Sequence, residues 1–194
     1  LTKVGIKLTI LFLIVGLIIF LTSGLLIDLI GPNLSAESKS VATYQLKILT
    51  PCIPLSAFIG LSFGALNTRN KFFISSISPA FTSLITILFI SVSWILNNQN
   101  TTSNYFFYTG LLALATLTGT FIQFAIQFWE IQKIGLLRFE SRGHSVNKEE
   151  KRIFKLLIPA SISSGLGQIN VFIDMFFASS FQGAASGLAY GNFL

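Results

Sequence analysis

Charge is scarce in this sequence. Only 10% of its 194 residues are Asp, Glu, Lys or Arg, against about 25% in an ordinary soluble domain, so the chain reads as belonging in a bilayer. Its single cysteine, Cys52, excludes an internal disulfide, and its single histidine, His144, excludes a histidine-based metal cluster. Cys52 has no base or cation beside it in sequence and reads as a small packing residue. His144 lies in a polar stretch and reads as solvated. No carboxylate pair or activated nucleophile lies inside the apolar runs, so the chain reads as a non-enzyme that needs no cofactor and no metal. The net charge of +6 raises the question of nucleic acid, but the basic residues sit at the ends of apolar runs rather than in a stripe among exposed aromatics, which argues against a nucleic-acid partner.

What is present is apolar residue, 52% of the chain, in long runs. Five runs are read as membrane spans, at about 8–30, 48–66, 72–96, 105–129 and 154–181. The first, Leu8 to Ile30, is 23 residues, or about 34 Å as a helix against a hydrocarbon core of about 30 Å. It is longer than the apolar part of a signal peptide and lacks a small-residue cleavage site, so it is read as a span. The expected fold is all-α, a polytopic transmembrane helix bundle. Because Leu1 stands almost at the start of a span and Leu194 just after one, the chain is expected to be an internal piece.

Orientation follows from the turn Asn67, Thr68, Arg69, Asn70, Lys71 between the second and third spans, whose two cations are the only charges between Lys47 and Glu130. The positive-inside rule puts this turn in the cytoplasm. The same assignment places 11 basic residues inside, including those of the long polar loop 130–152, and leaves Lys39 and Lys47 outside. Gly31 to Leu46 then reads as an outer polar loop, and Asp28 as an interfacial carboxylate.

Prolines interrupt four places in the spans. Pro51 and Pro54 should bend or open the second span near its outer end, as a kink or as a hinge in a cavity wall with Lys47 pointing inward. Pro79 lies two turns into the third span among serines and threonines that let helices approach and re-satisfy freed carbonyls. Pro159 gives the long fifth segment a place to bend. On the fourth span Gln123 and Gln127, four apart, should face neighbouring helices. On the fifth, Ser163, Gly167, Asn170 and Asp174 share one stripe opposite Ile162, Leu166, Ile169, Phe172, Ile173 and Phe176. A charge at the membrane centre costs about 2.5 to 3.5 kcal/mol on insertion scales, which makes Asp174 a candidate for the substrate path. Its position about 27 Å along the span from Leu156 leaves an interfacial anchor as the other reading.

The motif L-N-T-x-N-K-F from Leu66 to Phe72, followed by a serine stretch and Ser78-Pro79, resembles the MurJ/MviN family of lipid II flippases. Phe128 to Leu137 resembles the end of that family's sixth helix, and Leu156 to Phe181 its seventh. The resemblance implies spans three to seven of fourteen in a fold of the multidrug/oligosaccharidyl-lipid/polysaccharide exporter class. Residues 1–129 would end the first lobe, 130–152 would be the cytoplasmic inter-lobe loop and 153–194 would begin the second lobe. It implies a multi-pass protein of the bacterial plasma membrane that moves undecaprenyl-pyrophosphate-linked peptidoglycan precursor outward by alternating access. Its partners would be that lipid-linked oligosaccharide, membrane lipids, the remaining helices of the full-length chain and cell-wall synthesis proteins. Many members read Y-A-D-R-L after the seventh helix. Here the residues are Tyr190, Gly191, Asn192, Phe193 and Leu194, without the arginine.

Two other classes fit less of the pattern. Another exporter of the superfamily, for polysaccharide units or drugs, needs no cations in the helices that would precede Leu1. A non-transporting membrane scaffold needs no alternating cavity. The charge distribution makes a direct prediction: cysteines at Arg69 and Arg142 label from the cytoplasmic side, and cysteines at Asn33 and Asn100 label from outside. Labelling of the Asn100 position from the cytoplasm would overturn the topology.

Overall fold

The computed structural model describes residues 2–96, 105–135, 145–181 and 183–191. Among them are seven helices and no strand: α1 Thr2–Ile30, α2 Ala36–Leu49, α3 Cys52–Thr68, α4 Phe72–Leu96, α5 Tyr105–Lys133, α6 Ser145–Ala178 and α7 Ala184–Gly191. Segments Gly5–Ile30, Phe72–Ser93, Phe106–Lys133 and Lys155–Ala178 are each long and apolar enough to cross a membrane, and α2 with α3 can form a fifth, bent crossing. The fold is an all-α polytopic membrane helix bundle. It divides into two compact units, Leu1–Ser23 with Val41–Phe139 and Gly24–Ser40 with Glu140–Leu194.

The outer polar loop expected from Gly31 to Leu46 is instead helical from Ala36 onward. Its start was written in the sequence. The Ser35 hydroxyl accepts from the Ser38 amide at 3.2 Å, which satisfies one of the free donors of the first turn. Glu37 in the first turn and Lys47 in the last both complement the helix dipole. The second span, expected at 48–66, is correspondingly redrawn. The chain bends by 48° between α2 and α3 at Thr50 and Pro51, and α3 begins at Cys52. At 17 residues α3 is about 25 Å long, short of the hydrocarbon thickness, so this crossing needs part of α2. The fifth span ends at Ala178 rather than at Phe181, because the amides of Ser180 and Phe181 bond only three residues back and close the helix in a tight turn.

In the first unit, α4 and α5 run antiparallel and are joined along their length. At Gly119 they approach closely: a Cβ there would lie 2.7 Å from the Thr82 Cα. One turn on, the Thr82 hydroxyl donates to Gln123 Oε1 at 3.3 Å, and beyond it Gln127 Nε2 donates to Ser78 Oγ at 2.7 Å. Thus both glutamines face α4, as their spacing suggested. Against α3 the contact is aromatic. Phe58 meets Phe124 edge-on at 4.9 Å and Phe128 at 5.6 Å, and Phe124 stacks on Phe128. Ala65, Leu66 and Ile131 form a small buried cluster at the end of this interface.

Helix α1 contributes little burial. Leu21 and Leu25 are more than 70% exposed, and the apolar residues between Ile10 and Ile18 are largely open as well, as a lipid-facing surface requires. In the first unit its small residues touch α3 and the bend: a Cβ at Gly5 would stand 3.7 Å from Leu61, and one at Gly16 would stand 3.5 Å from Thr50.

The two ends of the first unit are distinct. Lys71 lies 3.7 Å from Glu130 at one end, while at the other Gln45 donates to the Thr109 carbonyl and Tyr44 meets Phe106. Within the second unit, Asn33 donates to Ser180 at 2.9 Å, so the segments after α1 and after α6 lie at one end.

Close approach at Gly119 predicts that Gly119→Val destabilises the full-length protein by about 1 to 3 kcal/mol, the usual cost of overpacking. Gly64, with open space around its Cβ position, is the control, and Gly64→Ala is expected to be neutral or slightly stabilising. Thermal melts of the purified protein in detergent check both.

Candidate functional site

The signature turn is a helix cap. Asn70 has φ of 57°, the left-handed region, which asparagine tolerates better than most residues. From there the Lys71 amide donates to the Leu66 carbonyl at 3.0 Å and the Asn70 amide to the Asn67 carbonyl at 3.1 Å. This pair of bonds is the Schellman closure of α3, with asparagine in place of the usual glycine. Thr68 donates its hydroxyl to the Ala65 carbonyl at 2.8 Å, and the Ser75 hydroxyl reaches Asn67 Oδ1 at 2.7 Å, tying α4 to the end of α3. Arg69 caps α3 with an exposed side chain, and Lys71 pairs with Glu130. With Lys71 half exposed, that pair adds at most about 1 kcal/mol. Asn67, Thr68 and Asn70 are thus spent on closing the hairpin, leaving Arg69 and Lys71 to face the surface.

Each expected kink proline has a different setting. Pro51 precedes α3 at the 48° bend. Pro54, in the first turn of α3, leaves the Thr50 carbonyl without its usual partner, and the Ile53 amide takes that carbonyl at 3.0 Å. Pro79 lies inside an unbroken α4. The carbonyl it frees belongs to Ser75, and the Ser78 hydroxyl donates to it at 3.3 Å. Pro159 lies inside α6.

Lys47 is exposed in the last turn of α2, its ammonium 5.9 Å from the centre of the Phe20 ring, within the range of a cation–π contact. The stripe of Ser163, Gly167, Asn170 and Asp174 is exposed, and so are Ile162, Leu166, Ile169, Phe172, Ile173 and Phe176 opposite it. From Lys155 to Phe177 no residue of α6 is buried. Asp28, read as interfacial, is bound to Lys39 at 2.9 Å with its carboxylate largely exposed. Lys47 belongs to the first unit and the α6 stripe to the second. His144, Asn100, Asn192, Phe193 and the middle of the polar loop, 136–144, lie outside the described residues.

Sequence reasoning missed that Ser62 and Ser78 are buried and that Ser78 is the partner of Gln127. The signal available was the glutamine on an otherwise apolar helix, which in lipid must find polar neighbours.

The family model described as lipid II flippase MurJ matches residues 1–194, the whole chain. The chain belongs to this family. A probable lipid II flippase MurJ of Synechocystis sp. is 36% identical over 182 residues, covering 93% of this chain and 34% of the relative. Proteins of the same description from Vibrio cholerae and Rhizobium meliloti are 31% and 27% identical, over 88% and 85% of this chain and 31% and 30% of their own lengths. The chain thus spans about a third of the length of the curated MurJ relatives it matches. Within the turn from Leu66 to Phe72, the bonds described above account for the asparagines at 67 and 70.

The cap makes a sharp prediction. Asn70→Gly is expected to leave stability unchanged or raise it slightly, whereas Asn70→Val, forced into the left-handed region, is expected to cost about 1 to 2 kcal/mol. Equal melting temperatures for the two variants would remove the cap from the account of the motif.

Proposed function

We propose that the protein is a lipid II flippase of the bacterial plasma membrane, carrying the undecaprenyl-pyrophosphate-linked peptidoglycan precursor outward by alternating access. The observation that carries this reading is the match of the MurJ family model to all 194 residues, with the signature turn intact from Leu66 to Phe72. In this reading the protein works without chemistry on its substrate, and its partners are the lipid-linked substrate, the surrounding lipids and cell-wall synthesis proteins. Residues 1–129 close the first lobe, 130–152 form the cytoplasmic loop and 153–194 open the second lobe.

Transport needs a wall that moves and a polar path. The bend at Thr50 and Pro51 supports the first role for α2 and α3, since a bent junction with one proline in it and another just after it concentrates backbone change at a few residues. Lys47, next to that bend, offers a cation toward an anionic headgroup. The exposed stripe Ser163, Gly167, Asn170 and Asp174 supports the second role. Because Asp174 would repel a pyrophosphate, its part is to orient a cation, either a basic side chain elsewhere in the full-length protein or a coupling ion.

The test uses the full-length protein in a strain depleted of its own flippase. Wild type is expected to restore growth and the exposure of lipid II on the outer leaflet. Asp174→Asn keeps size and hydrogen bonding but removes the charge, and is expected to lower transport tenfold or more, the scale of losing about 1.5 kcal/mol of charge-assisted interaction. Asn170→Ala is expected to do less. Failure of wild type to expose lipid II would sink the function. Normal rescue by Asp174→Asn would return that residue to an interfacial anchor.

A further inference from the structure

One turn beneath the cap at Asn70, α3, α4 and α5 each contribute a buried polar side chain. These are Ser62, Ser78 and Gln127, none more than 1% exposed. Two of the three are bonded to each other: Gln127 Nε2 donates to Ser78 Oγ, whose own proton goes to the Ser75 carbonyl. That leaves two atoms of these side chains with no partner among the described residues, Gln127 Oε1 and Ser62 Oγ, each with essentially no exposed surface.

These two atoms belong to one level of the bundle. On α3, Phe58 packs against Phe124 and Phe128 of α5, and Ala65 and Leu66 pack with Ile131. Ser62 is one turn beyond Phe58 and one turn before Leu66, and Gln127 lies between Phe124 and Ile131. The parallel register of α3 and α5 therefore sets the two side chains at matching heights. Their chemistry is complementary through a third molecule. An amide oxygen can only accept, a hydroxyl can donate, and a water molecule can give one hydrogen bond and take the other. Buried waters characteristically join two to four such groups. A metal ion is a poorer fit, because these side chains offer neutral oxygens and no carboxylate, with the Gln127 amide donor alongside.

We infer that an ordered water molecule is built into the bundle between α3 and α5, donating to Gln127 Oε1 and accepting from Ser62 Oγ. It completes a continuous hydrogen-bonded layer from Ser62 through Gln127 and Ser78 to the Ser75 carbonyl, the one that Pro79 frees. The helices that carry the signature turn are thereby pinned together directly beneath it.

Two measurements on the full-length protein test the site. Radiolytic hydroxyl labelling activates bound water and oxidises the side chains around it whatever their bulk exposure. Leu66, fully buried and one turn from Ser62, is expected to be labelled in wild type. That labelling is expected to be lost in the Ser62→Ala, Gln127→Leu double variant while exposed Phe73 labels as before. Absence of labelling at Leu66 in wild type, or its persistence in a folded double variant, would overturn the site. A density map of the wild-type protein fine enough to show ordered water decides independently of whether the double variant folds. Density within hydrogen-bond distance of both atoms supports the site, and a direct Ser62 to Gln127 hydrogen bond overturns it.

Discussion

Within hydrocarbon, a polar group must find its partner in the protein or in water that the protein encloses, and the first unit is arranged around that constraint. The α4–α5 contact is its clearest expression. Two glutamines on α5 are matched to hydroxyls on α4, while the glycine one turn before them lets the helix backbones approach closely enough for short side chains to meet. Removing Cβ at 119 and supplying Thr82 opposite are one device: a larger residue there would hold the helices apart and weaken the hydrogen bond at Gln123. Pro79 fits the same logic. It takes away one backbone donor, and a neighbouring serine supplies a replacement, so α4 continues unbroken through it.

The family signature follows from a related constraint. A chain that must reverse at a membrane surface within five residues has to dispose of the last carbonyls of one helix before the next begins. Leu66, Asn67, Asn70 and Lys71 do this with two backbone bonds, and Asn67 lends its side chain to Ser75. Asn67 and Asn70 are thus accounted for by the architecture of the turn. Its two cations act separately, since Lys71 reaches across to Glu130 and Arg69 stays at the surface.

Much of this was legible in the residues. Runs of more than twenty apolar positions have few alternatives to a span, and two glutamines four apart on such a run have few alternatives to an interhelical partner. The bend at Pro51 followed from the missing amide. Less legible was α2, because Glu37, Ser38, Lys39 and Ser40 have the composition of a loop. Only the Ser35 cap and the placement of Glu37 and Lys47 at opposite ends distinguish it as a helix. The burial of Ser62 and Ser78 was hidden for another reason. A lone serine in an apolar helix looks the same whether it faces lipid or a neighbour, and only the register of three helices decides which.

Helix α6 poses the remaining demand. Its two faces differ in chemistry, one of Ile, Leu and Phe and one of Ser, Gly, Asn and Asp, yet both are open from Lys155 to Phe177. Lipid satisfies the first face at no cost. On the second, Asn170 and Asp174 carry groups that hydrocarbon would penalise by kcal/mol each, and the glycine at 167 leaves room for something to come close. A helix built this way is stable in a bilayer only beside two different neighbours, apolar on one side and polar or wet on the other. The role proposed for this helix, a wall between lipid and a hydrophilic path, rests on that asymmetry.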